Sequence, residues 1–203
     1  MSRDYLHPDE SIEKHGWKLP HWQQGEAMQF VTFRLGDSLP KDKIDHWKTQ
    51  RDAWKRTWPR PWTPELEKEY HRRFTARLEV WLDQGAGSCL LRDEGNRHLL
   101  ETVLMFHHGE RYEHHAWVIM PNHVHLLFKP LDDIPSLIQT WKSISARRIG
   151  SGSIWQANYR DTMIRDGDYF ANAVRYIRRN PVKAKLREGN FSLWQSEMAL
   201  AVS

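Results

Sequence analysis

The chain has 203 residues, a length that suits one domain with additions and is enough to bury a core. Hydrophobic residues make up 39% and charged residues 28%, a balance that excludes a disordered protein. The single cysteine, Cys89, excludes an intrachain disulfide framework and a Cys-rich zinc site. The formal net charge of +4 permits a nucleic-acid partner without requiring one. Because no apolar run approaches ~20 residues and the first residues lack a signal segment, we expect a cytoplasmic protein without a membrane partner.

The first half of the chain is predicted to contain one strand and three helices. Residues 1–26 are polar and rich in Gly, Pro and Trp, which indicates an N-terminal arm. Residues 27–35 alternate as a strand does, and 41–58 repeats apolar residues at helical spacing. A second helix begins at Thr63, an N-cap followed by proline, and a third is expected over 93–108. In the strand, one face is expected to carry Phe30, Thr32 and Arg34 and the other Val31, Phe33 and Leu35. The expected apolar stripes are Ile44, Trp47, Trp54 and Trp58 in the first helix, and Leu66, Tyr70, Phe74, Leu78 and Trp81 in the second.

Two adjacent strands and a further helix are predicted next. The strands cover about 111–120 and 123–129, and Pro121-Asn122 between them indicates a tight turn. Apolar residues at helical spacing then predict a helix over 133–149. Its expected inward residues are Ile134, Leu137, Ile138, Trp141 and Ile144.

The last predicted elements are a short strand and a helix, and they complete the order from which the fold is predicted. A short strand is expected over 159–165, followed by a helix that starts near Asp166. This helix is expected to end at Asn180, because Pro181 follows it. The order of strands and helices predicts an α+β fold of the ferredoxin-like, split βαβ type: an antiparallel sheet with helices, plus an extra C-terminal helix.

A His-x-His pair lies in the second strand of the hairpin, within the segment PNHVHLLF at 121–128. His123 and His125 are two residues apart in a strand, so both side chains leave the same face and can converge on one metal ion. On its own, such a pair is more often two polar residues of a half-exposed strand. Here the flanking residues are strongly apolar, so we expect the histidines to be covered, and burial without a partner would be costly.

The segment YIRRNP at 176–181 is the second candidate, and it lies in the last helix. Tyr176 and Asn180 are four residues apart and therefore share a helix face. They flank the edge of that helix's apolar stripe, from which a side chain can reach a cleft. Alone, the pattern is more typical of a half-buried tyrosine and a helix-terminal asparagine before proline. The stripe consists of Phe170, Ala173, Val174 and Ile177.

Together the two segments resemble the HUH superfamily of single-strand nucleases and, within it, the REP-associated tyrosine transposases. The resemblance covers roughly residues 27–187. It implies an arm over 1–26, a catalytic domain over 27–187 with a Trp-rich insertion at 36–62, and a C-terminal tail over 188–203. It rests on VTFRL (31–35), WVIMPNHVHLL (117–127), WKSISARRI (141–149), WQANYRDTMIRD (155–166) and YIRRNPVKAKL (176–186).

The resemblance implies roles for four residues. His123 and His125 match the metal-binding pair, Asn180 matches the third ligand, and Tyr176 matches the nucleophile on the extra C-terminal helix. The implied activity is metal-dependent cleavage and rejoining of single-stranded DNA at hairpin (REP-like) elements through a covalent 5′-phosphotyrosine, which would place the protein at the nucleoid. Two imidazoles and an amide with open positions suit Mg²⁺ or Mn²⁺. The sequence leaves open whether the protein is a monomer or a homodimer.

Binding of single-stranded DNA needs cations for the phosphates and flat groups on which bases can stack. Six basic side chains and one tryptophan in the resembling region are candidates. Each is equally well explained as a solvated surface charge or a core tryptophan. The candidates are Lys142, Arg147, Arg148, Arg165, Arg178 and Arg179 for phosphates, and Trp155 for base stacking.

Two other functions and two other nucleophiles compete with this interpretation. The chain could be a non-catalytic nucleic-acid-binding module on the same fold, or a metal hydrolase that uses the histidine pair with a carboxylate and activates water. No carboxylate at ligand spacing in the sequence supports the hydrolase. Tyr169 is the first rival nucleophile, but it lies ~16 Å along the helix from Asn180. Tyr159, in the short strand, is the second.

Overall fold

The computed structural model describes residues 4–15, 21–150 and 152–203, without the side chains of His15 and Asp42. Its strands are β1 (Glu13–His15), β2 (His21–Gln23), β3 (Gln29–Arg34), β4 (Tyr112–Ile119), β5 (His123–Pro130), β6 (Arg160–Met163) and β7 (Ser192–Gln195). Its α-helices are α1 (Lys41–Thr57), α2 (Pro64–Tyr70), α3 (Ala76–Asp83), α4 (Glu94–Met105), α5 (Ile134–Ile149), α6 (Gly167–Lys183) and α7 (Glu197–Leu200). A π-helical segment (His71–Thr75) joins α2 to α3, and a 3-10 turn (Leu90–Arg92) precedes α4. Within the described ranges, no helix is long and apolar enough to span a membrane.

Five strands form one antiparallel sheet in the order β6-β3-β5-β4-β7. Strands β3, β4, β5 and β6 are, in chain order, the first to fourth strands of a split βαβ fold. Across the sheet they lie in the order fourth, first, third, second. Helix α4 precedes the second of these strands, and α5 links the third to the fourth. The predicted α+β, ferredoxin-like fold is therefore confirmed.

The sheet has a helix layer on each face, and strand alternation decides which residues each layer covers. Helices α4 and α5 pack on the face that carries Val31 and Leu126. Helix α6 packs on the opposite face, which carries Val118 and Leu127. Each large apolar side chain buried in either layer contributes ~1.5–3 kcal/mol relative to its exposed state. His125 is two residues from Leu127 on β5, so the histidine pair lies on the α6 face.

Helices α1 to α3 form a helical unit with a small aromatic core of its own. The predicted stripe of α1 is confirmed except at Trp58, which is 46% exposed because α1 ends at Thr57. Helix α2 begins as predicted, with the Thr63 side chain accepting a hydrogen bond from the Leu66 amide. The unit extends to the end of α3 and is thus longer than the Trp-rich insertion at 36–62. Its fully buried residues are Trp47, Trp54 and Phe74.

The last long helix continues past the residue at which it was predicted to end. Helix α6 includes Pro181 and ends at Lys183, so the prediction of an end at Asn180 is wrong. Proline has no N–H, which removes one hydrogen bond of the helix. That loss falls in the last turn, where the Ala184 amide still donates to the Asn180 carbonyl at 3.0 Å. Asn180 is consequently fixed inside the helix, one turn after Tyr176.

Segments near both ends of the described chain are packed against the sheet. Strands β1 and β2 pair within the region predicted as an N-terminal arm, and His21 Nδ1 lies 2.9 Å from Asp161 Oδ1 of β6. In the predicted tail, β7 pairs with β4, and Ala199 of α7 is buried under α6. Strands of three or four residues give too short a pattern to be predicted from sequence alone. The domain boundaries themselves stay a prediction.

Candidate active site

The β4–β5 hairpin places the two histidines under α6. His123 and His125 are 1% and 2% exposed, and their ring centroids are 4.8 Å apart. They lie on one face of β5, as their spacing predicted. Burial lowers the pKa of His123 to about 3 and the pKa of His125 well below its usual value. Both imidazoles are therefore neutral near pH 7, which is the form that binds a metal ion.

Hydrogen bonds to Nδ1 orient both rings. His123 Nδ1 lies 2.7 Å from Asn122 Oδ1. The Asn122 Nδ2 amide donates to two main-chain carbonyls at and just beyond the end of α3, so Oδ1 is the acceptor and His123 Nδ1 carries the proton. His125 Nδ1 lies 2.7 Å from the Thr32 hydroxyl, which can accept in the same way. The Nε2 lone pair of each ring is thus available, as in metal-binding histidines held by a second hydrogen bond.

Helix α6 carries the predicted nucleophile over the histidines. The Tyr176 ring packs edge-on against His125, with centroids 5.2 Å apart, and against Phe30 at 5.6 Å. Burial raises the pKa of Tyr176 above its ordinary value, and the nearby Glu79 carboxylate raises it further, whereas a side-chain interaction with Asn180 opposes both. The phenol is therefore protonated near pH 7, so a reaction at its oxygen requires the loss of that proton.

Asn180 has the features expected of a third ligand. Its side chain is buried, and Nδ2 donates to the Tyr176 carbonyl at 3.4 Å. Within the described part of the chain Oδ1 has no hydrogen-bond partner of good geometry, although the Asn180 side chain is near enough to His123 to raise the pKa of that imidazole slightly against the effect of burial. A buried oxygen left without a partner costs ~1–3 kcal/mol, which a bound cation would offset. Among the described residues, no group of three or more His, Cys, Asp or Glu side chains is placed to hold a metal ion, so the carboxylate-based hydrolase gains no support. Two imidazoles and one amide oxygen fit a divalent ion with open positions.

Strand pairing places basic side chains beside the histidines. Arg34 of β3 lies opposite His123, and Arg160 of β6 lies in the same cross-strand row as His125. Lys183, at the C-terminal end of α6, follows within a turn of the candidate ligand on that helix. The charges of Lys183 and Arg34 lower the pKa of His123, and the charge of Arg160 lowers the pKa of His125. Three basic side chains therefore border the site, and such groups suit a phosphate group.

Helix α3 of the helical unit borders these basic side chains. Glu79 Oε1 lies 3.3 Å from Arg160 Nη1, and Asp83 Oδ2 lies 2.8 Å from Lys183 Nζ. The two carboxylates are one helical turn apart and face the site from the side. None of these four residues is among the site residues predicted from the sequence. They form no local motif, because they come from separate elements that only the fold brings together.

Three predicted DNA-binding side chains form hydrogen bonds within the protein. Lys142 is buried, and its Nζ donates to the Ala157 carbonyl at 2.8 Å. Trp155 is buried against the α5 layer, and its Nε1 donates to Ser145 Oγ at 2.9 Å. Arg178 donates to main-chain carbonyls of the C-terminal segment. Each of these side chains already has protein partners, in the core or in the C-terminal segment, and a contact of any of them with DNA stays a prediction.

The other four predicted DNA-binding residues are exposed, at different distances from the site. Arg147 and Arg148 lie at the end of α5, in the helix layer opposite α6. Arg165 lies over the Tyr169 ring, 5.0 Å from its centroid, at the beginning of α6. Arg179 is exposed on the same turn of α6 as the candidate ligand. Their contacts with DNA stay a prediction.

The two rival tyrosines lie elsewhere. Tyr169 is 38% exposed near the start of α6, where it packs with an arginine. Tyr159 is buried, and its ring stacks on His21 with centroids 3.7 Å apart. In the described part of the chain, neither ring packs against the imidazole pair. Of the three candidates, Tyr176 is the tyrosine that the fold places at the histidines.

A histidine pair on a central strand, with a tyrosine and an asparagine on the covering helix, defines a candidate metal- and tyrosine-dependent site on a ferredoxin-like sheet. The chain is similar to the REP-associated tyrosine transposase of Escherichia coli (strain K12), with 26% identity over 88 residues, 42% of this chain and 53% of the relative. The chain thus matches about half the length of that curated relative. A solved structure of a REP-associated tyrosine transposase bound to a REP hairpin matches at a TM-score of 0.46 with 19% identity, covering 83% of this chain and 74% of that chain. No family model matches. The resemblance predicted from the motifs is confirmed by the curated relative.

Proposed function

We propose that this chain cleaves and rejoins single-stranded DNA at hairpin (REP-like) elements, with Tyr176 as the attacking group. The observation that carries the proposal is the packing of the Tyr176 ring against a buried, neutral imidazole pair, 5.2 Å from the His125 ring centroid. The proposed nucleophile and the amide ligand lie on α6, the imidazoles lie on β5, and the basic side chains come from β3, β6 and α6, so the fold brings these groups together from four elements. The name of the curated relative supports the same class of reaction.

The reaction proposed is an exchange of one phosphoester for another. The Tyr176 oxygen attacks the phosphorus, a Tyr–O–P bond forms, and the bond from phosphorus to the 3′ oxygen breaks. The phenol proton is balanced by the proton that the departing 3′ oxygen takes up, which leaves a free 3′ hydroxyl. The 5′ phosphate stays joined to the protein, so another 3′ hydroxyl can later reverse the step and join a second strand without ATP.

Each site residue has a part in this reaction. His123, His125 and Asn180 would hold Mg²⁺ or Mn²⁺, which would supply charge neutralisation at the reacting phosphate. Asn122 and Thr32 keep the imidazoles in their orientation through the hydrogen bonds to Nδ1. Burial disfavours the phenolate of Tyr176, so the neighbouring cations are needed to ease loss of the proton.

The form of the substrate should decide the rate of cleavage. We expect the enzyme to cut single-stranded DNA that carries a short hairpin, to cut an unstructured strand of equal length more slowly, and to leave the perfect duplex intact. Tyr176 is half-buried between α6 and the sheet, so its oxygen is accessible only to a backbone that can bend into the site. A duplex keeps its backbone regular and its bases stacked, whereas a single strand can splay.

The test compares cleavage of these three substrates at equal concentration, in Mg²⁺ and in Mn²⁺. Binding should also weaken steeply as salt rises, because phosphate contacts release counterions. Equal or faster cutting of the duplex would contradict the assignment to single-strand cleavage.

A further inference from the structure

Two cations at the edge of the candidate site are half-exposed and in a position to meet a DNA strand. The side chains of Arg160 and Lys183 are each 48% exposed. Arg160 shares a cross-strand row with His125, and its charge lowers the pKa of Tyr176 as well as that of His125. The charge of Lys183, at the end of α6, lowers the pKa of both histidines. They therefore flank the position at which the reacting phosphate must lie.

Two carboxylates of α3 pair with these cations. Glu79 pairs with Arg160 at 3.3 Å and Asp83 pairs with Lys183 at 2.8 Å. The carboxylates are more sheltered than their partners, at 24% and 11% exposed. Their negative charges also raise the pKa of the site tyrosine. Two carboxylates beside a phosphate site repel the substrate and compete for the groups that would bind it.

Helix α3 is fixed at this place by more than the two ion pairs. The Asn122 amide donates to the carbonyls of Leu82 and Ala86, at 3.3 and 3.1 Å, so the turn before the histidine strand is tied to the end of α3. At Gly87 a Cβ would lie 2.5 Å from the Asp37 carbonyl oxygen, and only glycine allows this close approach where the unit rejoins the sheet. The carboxylates are thus positioned by the fold.

We infer that Arg160 and Lys183 bind the phosphates on either side of the cleaved phosphodiester, and that Glu79 and Asp83 hold these cations until the DNA strand replaces the carboxylates. The inference rests on the proposed function and gives the helical unit a role in it. The cation of each pair is half-exposed and therefore open to a competing anion, so a phosphate that forms a charge-assisted hydrogen bond can displace the carboxylate. The exchange weakens DNA binding by the cost of breaking two pairs and thereby selects strands that supply both phosphates.

The alternative is that the two ion pairs only attach α3 to the sheet. The change in DNA affinity when the carboxylate charges are removed separates the two interpretations, because only the inference predicts tighter binding. The double substitution Glu79→Gln with Asp83→Asn removes the competing charges and keeps the shapes. We expect it to tighten binding of a fluorescent hairpin-bearing single strand by about three- to tenfold per pair. The control, Glu65→Gln with Glu67→Gln, makes the same change in net charge on exposed residues of α2. All proteins carry Tyr176→Phe, so that binding is measured without cleavage.

Tightening no greater than in the control, or weaker binding, overturns the inference. A second pair of variants tests the inference if the carboxylate variant does not fold. Arg160→Gln and Lys183→Gln should each weaken DNA binding, and each should make the negative slope of log affinity against log salt shallower by about 0.7. Unchanged slopes in both also overturn it. The proposed function and the inference are contradicted by different results. If the wild-type protein forms no covalent adduct with DNA, the proposed function is wrong. If the wild-type protein is active but the carboxylate variants bind DNA no more tightly than the control, only the role of α3 is wrong. Wild-type protein that binds no DNA contradicts both.

Discussion

Substitution of Tyr176 by phenylalanine should abolish the covalent protein–DNA adduct and reduce strand cleavage by about a thousandfold or more, with DNA binding nearly unchanged. The substitution removes the attacking oxygen and keeps the ring that packs against His125 and Phe30. The fold and the phosphate-binding cations should therefore be unaffected. The adduct is measured on a denaturing gel with a labelled, hairpin-bearing single strand.

Tyr169→Phe is the matched control for this prediction. Tyr169 lies on the same helix, is 38% exposed and is remote from the histidines. We expect its adduct yield to equal that of the wild type. A normal yield from Tyr176→Phe together with a loss in Tyr169→Phe would move the nucleophile to the start of α6 and contradict the site described above.

Removal of both imidazoles should abolish metal-dependent cleavage. The double substitution His123→Ala with His125→Ala leaves the Asn180 amide as the remaining protein ligand, and a neutral amide oxygen alone binds Mg²⁺ or Mn²⁺ weakly. We expect a loss of on the order of a thousandfold in cleavage, and no saturable Mn²⁺ binding by calorimetry. The protein should stay folded, since the imidazoles are replaced at one end of an otherwise apolar core.

The control replaces two exposed histidines, His46→Ala with His98→Ala, and should cleave and bind Mn²⁺ as the wild type does. Normal cleavage by the His123/His125 variant in the same metal would remove the metal assignment. Full wild-type activity in excess chelator would remove it as well.

Local patterns predicted most of the fold and the centre of the site. Alternation in β3 and β5 assigned each side chain to a face, and that assignment placed His123 and His125 together. Helical spacing placed Tyr176 and Asn180 on one side of α6. These predictions succeeded because each depends on residues within four positions of one another. The end of α6 was missed for a related reason: proline stops a helix interior, but its missing N–H matters less in the last turn.

Contacts between distant segments could not be predicted from the sequence. Asn122 was interpreted only as a turn residue, whereas its side chain joins His123 to the end of α3. The pairs of Glu79 and Asp83 with Arg160 and Lys183 each link elements that are far apart in the chain. Burial of a side chain is the other property that could not be predicted.

Lys142 and Trp155 have side chains suited to DNA contact, and the fold uses both in the core. A sequence shows the residue type, and only the packing shows whether that residue meets solvent.

The transfer of labelled DNA to the protein tests the central claim most directly. A hairpin-bearing single strand, labelled on either side of the expected cut, is incubated with the wild-type protein with and without Mg²⁺ or Mn²⁺, and the adduct is digested for mass spectrometry. We predict that only the fragment with the 5′ phosphate becomes attached, only in the presence of metal, and at Tyr176, while the other fragment is released with a free 3′ hydroxyl. Cleavage that leaves both fragments free would indicate water as the nucleophile and contradict the tyrosine mechanism. Binding without cleavage in either metal would make the chain a DNA-binding module on the same fold.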